Sequence, residues 1–350
     1  MNPNNVFSIN RYNSLAENSG SELITAGLSE KGREITALKK GNGKLKILFI
    51  ARIHGNEPAT SEALLNFFSD NSFDETEMYG IYLANPDGAS LYEELWNKNP
   101  EPSWENSFND ARLNSNKVDL NRDWLNLTQK ETRVLQKFVA ELKPDLAVDF
   151  HEYYWSDKGY PPKYPSDDED GFMATMTDAP FYGADSKVKD ISENLMNVLI
   201  DKLGKEFNWT IKPRHFIGSP GNTYTNPDFL GAYLALRGIP KLLVETWGVG
   251  CSTLFLDKRI SFHEKAMGYI VNWVKQNKNL FPLNGEDAVL QYNLNGSEPG
   301  KVKNFKNILD LHGIKYHSKN NKLTVYCSSL EIGFIKTIYY LIFEKESIKK

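Results

Sequence analysis

Two side chains three residues apart, His54 and Glu57, can offer an imidazole nitrogen and a carboxylate oxygen to one point in space. They lie in the stretch 47–58, ILFIARIHGNEP, which begins as an apolar run with the length and β-branched content of a buried strand. A polar turn then leads into an apolar-periodic helix from about Pro58. An imidazole and a carboxylate so spaced can share a small cation, and Zn²⁺ favours such ligands. The pair reads equally well as a helix start, with Glu57 near the positive end of the helix dipole and His54 a polar turn residue. Other residues must decide. His151 follows a second buried-type run, DLAVDF at 145–150, and would complete a set of two histidines and one carboxylate. Such three-ligand sets leave a fourth position for water, the catalytic rather than the structural pattern.

A hydrolytic reaction at such a centre also needs a base that is not a ligand. Glu245 ends the apolar run KLLVE, where partial desolvation raises a carboxylate's pKa towards the useful range. Arg112, Asn121 and Arg122 lie along a long irregular stretch and its exit. A guanidinium is a planar fork suited to a carboxylate, and two of them beside a metal imply a substrate with a free carboxylate and a polarised carbonyl. Taken singly, each of these residues has an ordinary structural reading. His151 would be a hydrogen-bonded strand-end histidine, Glu245 a salt-bridge partner, and the arginines loop pins.

The elements that must position these groups alternate between strand and helix, which predicts an α/β fold with a mixed, mostly parallel central sheet and helices on both faces. Residues 21–28 and 34–38 read as short antiparallel strands leading into the strand at 47, and 78–84 as the next strand. Asn85-Pro86-Asp87-Gly88 is a turn signal at its end. Residues 96–117 read as a long loop. Thr128-Gln129-Lys130-Glu131 has the pattern of a capping box opening a helix through Leu142. Residues 153–183, with the acidic run 167–170, read as a solvated loop. A helix over 185–207, a strand at 209–212, a short helix ending near Gly238, the strand 241–244 and a helix over 259–276 follow. The strand ends at 54–57, 85–88, 151 and 245 are expected to share one crevice.

The chain divides into a polar, Asn-rich leader at 1–20, loose or lightly docked, a catalytic unit at 21–280, and a small α+β appendage at 281–350. The appendage holds 10 Lys against 7 Asp or Glu, so it is mildly basic while the whole 350-residue chain carries a net charge of −4. That balance argues against nucleic acid, whose binding relies on clustered Lys and Arg. No apolar run approaches the roughly 18 residues needed to span a membrane. The N-terminus lacks the basic and apolar regions of a signal peptide, which favours the cytoplasm. Cys251 and Cys327 are too few and too distant for a thiolate metal cluster, so a zinc ion would be held by histidine and carboxylate.

HGNE with His54 and Glu57, Arg112 upstream of VDLNR, His151 after a strand and Glu245 at the last strand together resemble the carboxypeptidase A-type zinc metallopeptidases. The resemblance covers about residues 20–280 in order and spacing. It implies that His54, Glu57 and His151 bind one Zn²⁺ and that Glu245 is general base and acid for a zinc-activated water. It further implies that Asn121 and Arg122 clasp the terminal carboxylate of a peptide, that Arg112 stabilises the oxyanion, and that Asp119 orients His54. Tyr224 falls near the family's mobile substrate-contacting tyrosine. The alternative is an amidohydrolase acting on N-acyl amino acids, resembling the aspartoacylase and succinylglutamate desuccinylase group. The NPDG turn stands where that group carries NPR. A non-catalytic binding protein on this fold is a third reading, disfavoured because every ligand and Glu245 are present.

Overall fold

The computed structural model describes residues 6–101, 108–154, 173–179, 183–213 and 227–344. Helix α1 (Ile9–Glu17) precedes the hairpin β1 (Glu22–Leu28) and β2 (Glu34–Lys40), then β3 (Leu45–Ala51), α2 (Pro58–Asp70) and β4 (Thr76–Ile81). Helices α3 (Pro86–Lys98), α4 (Asn109–Arg112) and α5 (Lys130–Leu142) lead to β5 (Leu146–Tyr154). Strand β6 (Ala174–Thr177), α6 (Ser186–Phe207), β7 (Ile211–Pro213), α7 (Leu230–Leu236), β8 (Lys241–Val249) and α8 (Leu256–Gln276) complete the larger part. After it come β9 (Asp287–Asn293), α9 (Pro299–Leu311), β10 (Lys315–Lys319), β11 (Lys322–Ser328) and α10 (Ile332–Tyr339).

The main sheet has eight strands in the order β1-β2-β4-β3-β5-β8-β6-β7. Its four central strands, β4, β3, β5 and β8, run parallel, while β2 and β6 pair antiparallel with β4 and β8. Alternate residues of the central strands enter two different cores, as a sheet covered on both faces requires. Ile47 and Phe49 of β3 and Val148 and Phe150 of β5 pack with α2, α6 and α8. Leu48 and Ile50 pack on the other face with α5, α7 and the C-terminal unit. Helix α2 takes the chain from β3 outward to β4, and α5 returns it past β3 to β5. The strand order therefore reverses between β3 and β5, the switch point where open α/β sheets leave a crevice at the strands' carboxyl ends.

Several local expectations are corrected. The polar leader contains α1, whose Tyr12 and Ala16 are buried in the core beside α2. The Thr128–Glu131 capping box does not form. Gln129 is the N-cap residue and makes no side-chain cap bond; Asp123 instead accepts from the Thr128 and Gln129 amides, and Glu131 accepts from the Glu30 amide. Strand β6 escapes notice because its four residues are all buried and show no alternation. Strand β9 supplies one edge of a three-stranded antiparallel sheet ordered β10-β11-β9. The apolar interior of this C-terminal unit, including Phe305, Leu323 and Phe334, is continuous with Leu230, Tyr233 and Leu236 of α7. The acidic run 167–170 lies outside the described residues.

Candidate metal centre

The HGNE turn leaves β3 with Arg52 in a left-handed conformation (φ 57°) and enters α2 at Pro58. Gly55 is required here by space: a β-carbon would stand 2.2 Å from the Gly88 carbonyl carbon and 2.4 Å from the Ala111 oxygen. The tight turn brings His54 and Glu57 to the crevice. Helix α2 starts on Pro58, so Glu57 is its N-cap residue, yet its side chain makes no cap bond and points to the histidines instead. His151 arrives from the neighbouring parallel strand. It lies inside β5 rather than at its end, since the strand continues to Tyr154.

Among the described residues, His54, Glu57 and His151 form one group of buried ligand atoms within 4.8 Å of one another. His54 Nδ1 is 2.6 Å from Glu57 Oε1, His151 Nδ1 is 3.0 Å from Glu57 Oε2, and the two Nδ1 atoms are 3.1 Å apart. These separations are close to the roughly 3.3 Å edge of a tetrahedron with arms of about 2.0 Å, the usual Zn–N and Zn–O length. The far nitrogens fix the direction of the near ones. His54 Nε2 lies 3.1 Å from Asp119 Oδ1, and His151 Nε2 lies 3.1 Å from Asp149 Oδ2. A carboxylate only accepts, so each Nε2 carries the proton, and in the neutral rings both Nδ1 lone pairs face inward. Two converging lone pairs and a carboxylate need positive charge between them, a need met here by the Arg112 guanidinium and a proton on His151 and one that a metal ion would meet in their place. The donor set therefore fits a metal ion.

Electrostatics agree. Burial disfavours a charge on His151, but Glu57 and Asp149 outweigh it and push its pKa up to about 10. Without a metal, that ring holds a proton where the ion would sit, so metal uptake must release it. Burial likewise opposes ionisation of Glu57 and of Asp119. His54 and His151 nevertheless hold Glu57 well below the usual carboxylate range, and His54 with Arg112 does the same for Asp119. Glu57 Oε2 also accepts from the Glu152 amide at 3.0 Å.

Asp119 serves three neighbours: Oδ1 faces His54 and accepts from the Asn121 amide at 2.9 Å, while Oδ2 accepts from Arg112 Nε and Nη2 at 3.2 and 2.9 Å. Arg112 Nη1 then stands 3.5 Å from Glu57 Oε1 and 3.1 Å from His54 Nδ1, inside the cluster. The Arg112 carbonyl accepts from Asn85 Nδ2. Asn121 and Arg122 occupy a single 3₁₀ turn, Leu120–Arg122. Asn121 Oδ1 accepts from the Leu230 amide at 2.9 Å, which leaves Nδ2 as the atom it can offer a ligand. The exposed Arg122 guanidinium lies 4.1 Å over the Phe229 ring and donates to the Asn121 carbonyl. Glu245 is the register partner of His151 on β8, so the two side chains face the same side of the sheet. It lies in mid-strand, not at the strand's end, and is buried.

Residues 12–168 match the family model Peptidase_M14, zinc carboxypeptidase. Carboxypeptidase 2 of Trichophyton tonsurans is 23% identical over 181 residues, 48% of this chain and 28% of that protein. The chain thus spans little more than a quarter of that relative's length. A metallo-carboxypeptidase from Burkholderia cenocepacia superposes with a TM-score of 0.53 at 13% identity, covering 76% of this chain and 67% of the other. A metallo-carboxypeptidase from Pseudomonas aeruginosa, in complex with (2-guanidinoethylmercapto)succinic acid, gives 0.53 at 16% identity over 77% and 69%. The chain resembles the zinc carboxypeptidases in sequence and in fold.

Against that fold, the crevice gathers His54, Glu57, His151, Asp119 and Arg112, with Glu245 beside them in register. Asn85–Gly88 does not join them as a ligand group. It becomes the start of α3, with Asn85 accepting from the Gly88 amide and Asp87 bound to Ser29, Arg33 and Ser115. Tyr224 lies outside the described residues. Sequence reasoning misses two members. Asp149, two residues before His151, is legible from period-two alternation, which puts both on one face. Glu152 is not: its carboxylate accepts from the Ala59 amide at the start of α2 and pairs with fully buried Arg259 of α8.

Proposed function

We propose that this chain is a zinc-dependent metallocarboxypeptidase that hydrolyses a C-terminal peptide or amide bond. The observation that carries the reading is the convergence of two inward Nδ1 atoms and the Glu57 carboxylate, each histidine held from behind by its own aspartate. His54, Glu57 and His151 would hold one zinc ion. When bound, that ion supplies Lewis acidity to a carbonyl oxygen and makes water a competent nucleophile at neutral pH. Glu245 takes the proton from the attacking water and returns it to the leaving amine. Arg112, kept in place by Asp119, donates to the carbonyl oxygen as negative charge builds there, a contribution of roughly 3 kcal/mol in comparable sites. Asn121 Nδ2 and the Arg122 guanidinium hold the substrate's terminal carboxylate, and Phe229 supports the guanidinium from below. Tyr224 as a substrate contact rests on the family resemblance.

The test is a panel of N-blocked peptides, the same peptides as C-terminal amides, and N-acyl amino acids. The expected result is release of single C-terminal residues from the free acids, loss of activity on chelation and recovery with Zn²⁺. Hydrolysis of N-acyl amino acids without cleavage of peptides would assign the amidohydrolase reading instead. Absence of both activities in the zinc-loaded protein would reject catalysis at this centre.

A further inference from the structure

Among the described residues, the turn that carries Asn121 and Arg122 pairs with no strand of the sheet. A three-residue 3₁₀ turn has little rigidity of its own, so its position must come from what packs against it. Asp119 caps it through the Asn121 amide, and Asp123 ties it to the start of α5 through Thr128, Gln129 and Thr132; two further sets of contacts lead in two directions to the C-terminal unit. In the first, His312 at the end of α9 places Nε2 2.9 Å from the Leu125 carbonyl, three residues beyond Arg122. A carbonyl only accepts, so Nε2–H donates. His312 is buried, and its ring stands edge-on to Phe334 of α10 at 5.0 Å.

The second direction runs through α7. The Leu230 amide donates to Asn121 Oδ1, the Trp124 amide donates to the Asp228 carbonyl, and Phe229 underlies Arg122. Further along the same helix, Tyr233 meets Trp124 at 5.2 Å on one side and Phe334 at 5.7 Å on the other. Just past its end, Arg237 donates to Glu331 Oε1 at 2.8 Å, to the Tyr233 hydroxyl at 3.2 Å and to the His312 carbonyl at 3.3 Å. Helix α7 is thus held between the 121–125 segment and the C-terminal unit, and His312 belongs to both connections.

We propose that the C-terminal unit buttresses the candidate carboxylate clasp, with His312 as the positioning residue that ties α9 and α10 to the 121–125 segment. The inference rests on the carboxypeptidase reading for what the clasp holds, but not for the mechanical connection. The candidate ligands lie in the HGNE turn and on β5; their link to the clasp is Asp119, whose Oδ1 meets both His54 and the Asn121 amide, whereas the connections above enter through Leu125, Trp124 and α7 and pass through no ligand. The C-terminal unit should therefore govern substrate affinity and leave metal binding and the chemical step alone.

The experiment compares His312→Ala and His312→Gln with the parent protein, zinc-loaded and full length. On free-acid peptides, His312→Ala should raise KM about tenfold with kcat changed less than twofold and zinc content unchanged. On the matching C-terminal amides, which the clasp does not hold, KM should not move. His312→Gln, which restores a donor to the Leu125 carbonyl, should bring KM back to within about threefold. Amide hydrogen exchange should quicken at residues 120–126 and 228–236 in His312→Ala but not at 47–59 or 146–153. If His312→Ala does not fold, Glu331→Gln breaks the half-buried ion pair with Arg237 and should show the same pattern more weakly. Unchanged KM, a joint fall in kcat and zinc content, or unchanged exchange at 120–126 would overturn the proposal. If the parent protein cleaves no peptide, the functional reading fails, and the exchange comparison alone decides the mechanical connection.

Discussion

Replacing Asp149 tests whether the aspartates behind the histidines serve the metal. Asp149 is buried and its Oδ2 lies 3.1 Å from His151 Nε2. The Asp149→Asn variant would keep an oxygen able to accept that proton, and hence the tautomer, while removing the negative charge that strengthens the imidazole as a donor. The Asp149→Ala variant would remove both. Loss of an outer-shell carboxylate commonly costs 10- to 100-fold in metal affinity, or about 1.4–2.7 kcal/mol. We expect Asp149→Asn near the lower figure and Asp149→Ala near the upper. Bulk salt should change little, because the pair is out of water. The assay is competition for Zn²⁺ against a chromophoric chelator, starting from metal-free protein. Affinity rather than thermal stability is the readout, since Asp149 also acts on the buried Lys241 ammonium and its loss disturbs the metal-free fold as well. If both variants bind Zn²⁺ within twofold of the parent, Asp149 is only a hydrogen-bond partner within its strand, and the reasoning about converging lone pairs fails with it.

Two further outcomes are expected. Glu245→Gln should retain stoichiometric zinc while turnover falls by at least about a hundredfold, and near-normal kcat in that variant would remove Glu245 from the reaction. His263 is buried against Phe150 and Phe262, and burial pushes its pKa down to about 3. The unfolded chain binds this proton below about pH 6.5 while the folded chain refuses it, so stability from this group is complete above pH 6.5 and declines as pH falls towards 3. The decline is about 1.4 kcal/mol per pH unit once the unfolded group is protonated. Urea unfolding of His263→Gln between about pH 6 and 5 should therefore show a slope shallower than the parent's by about 1 kcal/mol per unit, and identical slopes would show that His263 is protonated in the folded protein.

What the amino-acid order determined alone is local and periodic. The run 47–51 alternates its side chains between two apolar cores, and Pro58 after Glu57 starts a helix whatever lies nearby. Those features made the parallel sheet, the strand-turn-helix around HGNE and the identity of the candidate ligands legible. Even the Asp149–His151 pair follows from period two, once one face of β5 is known to hold a site. Tertiary structure decided everything that depends on which strands become neighbours. Only the order β3-β5-β8 brings His54, His151 and Glu245 side by side, and only the antiparallel return of β6 reveals a four-residue buried strand with no pattern of its own. The Glu152–Arg259 pair, the diversion of Glu131 from its expected capping box to the Glu30 amide, and the grip of His312 on Leu125 join residues roughly 100 or more positions apart. Chain periodicity carries no information at that range, because such contacts are selected by packing and burial and not by the spacing of the residues that make them.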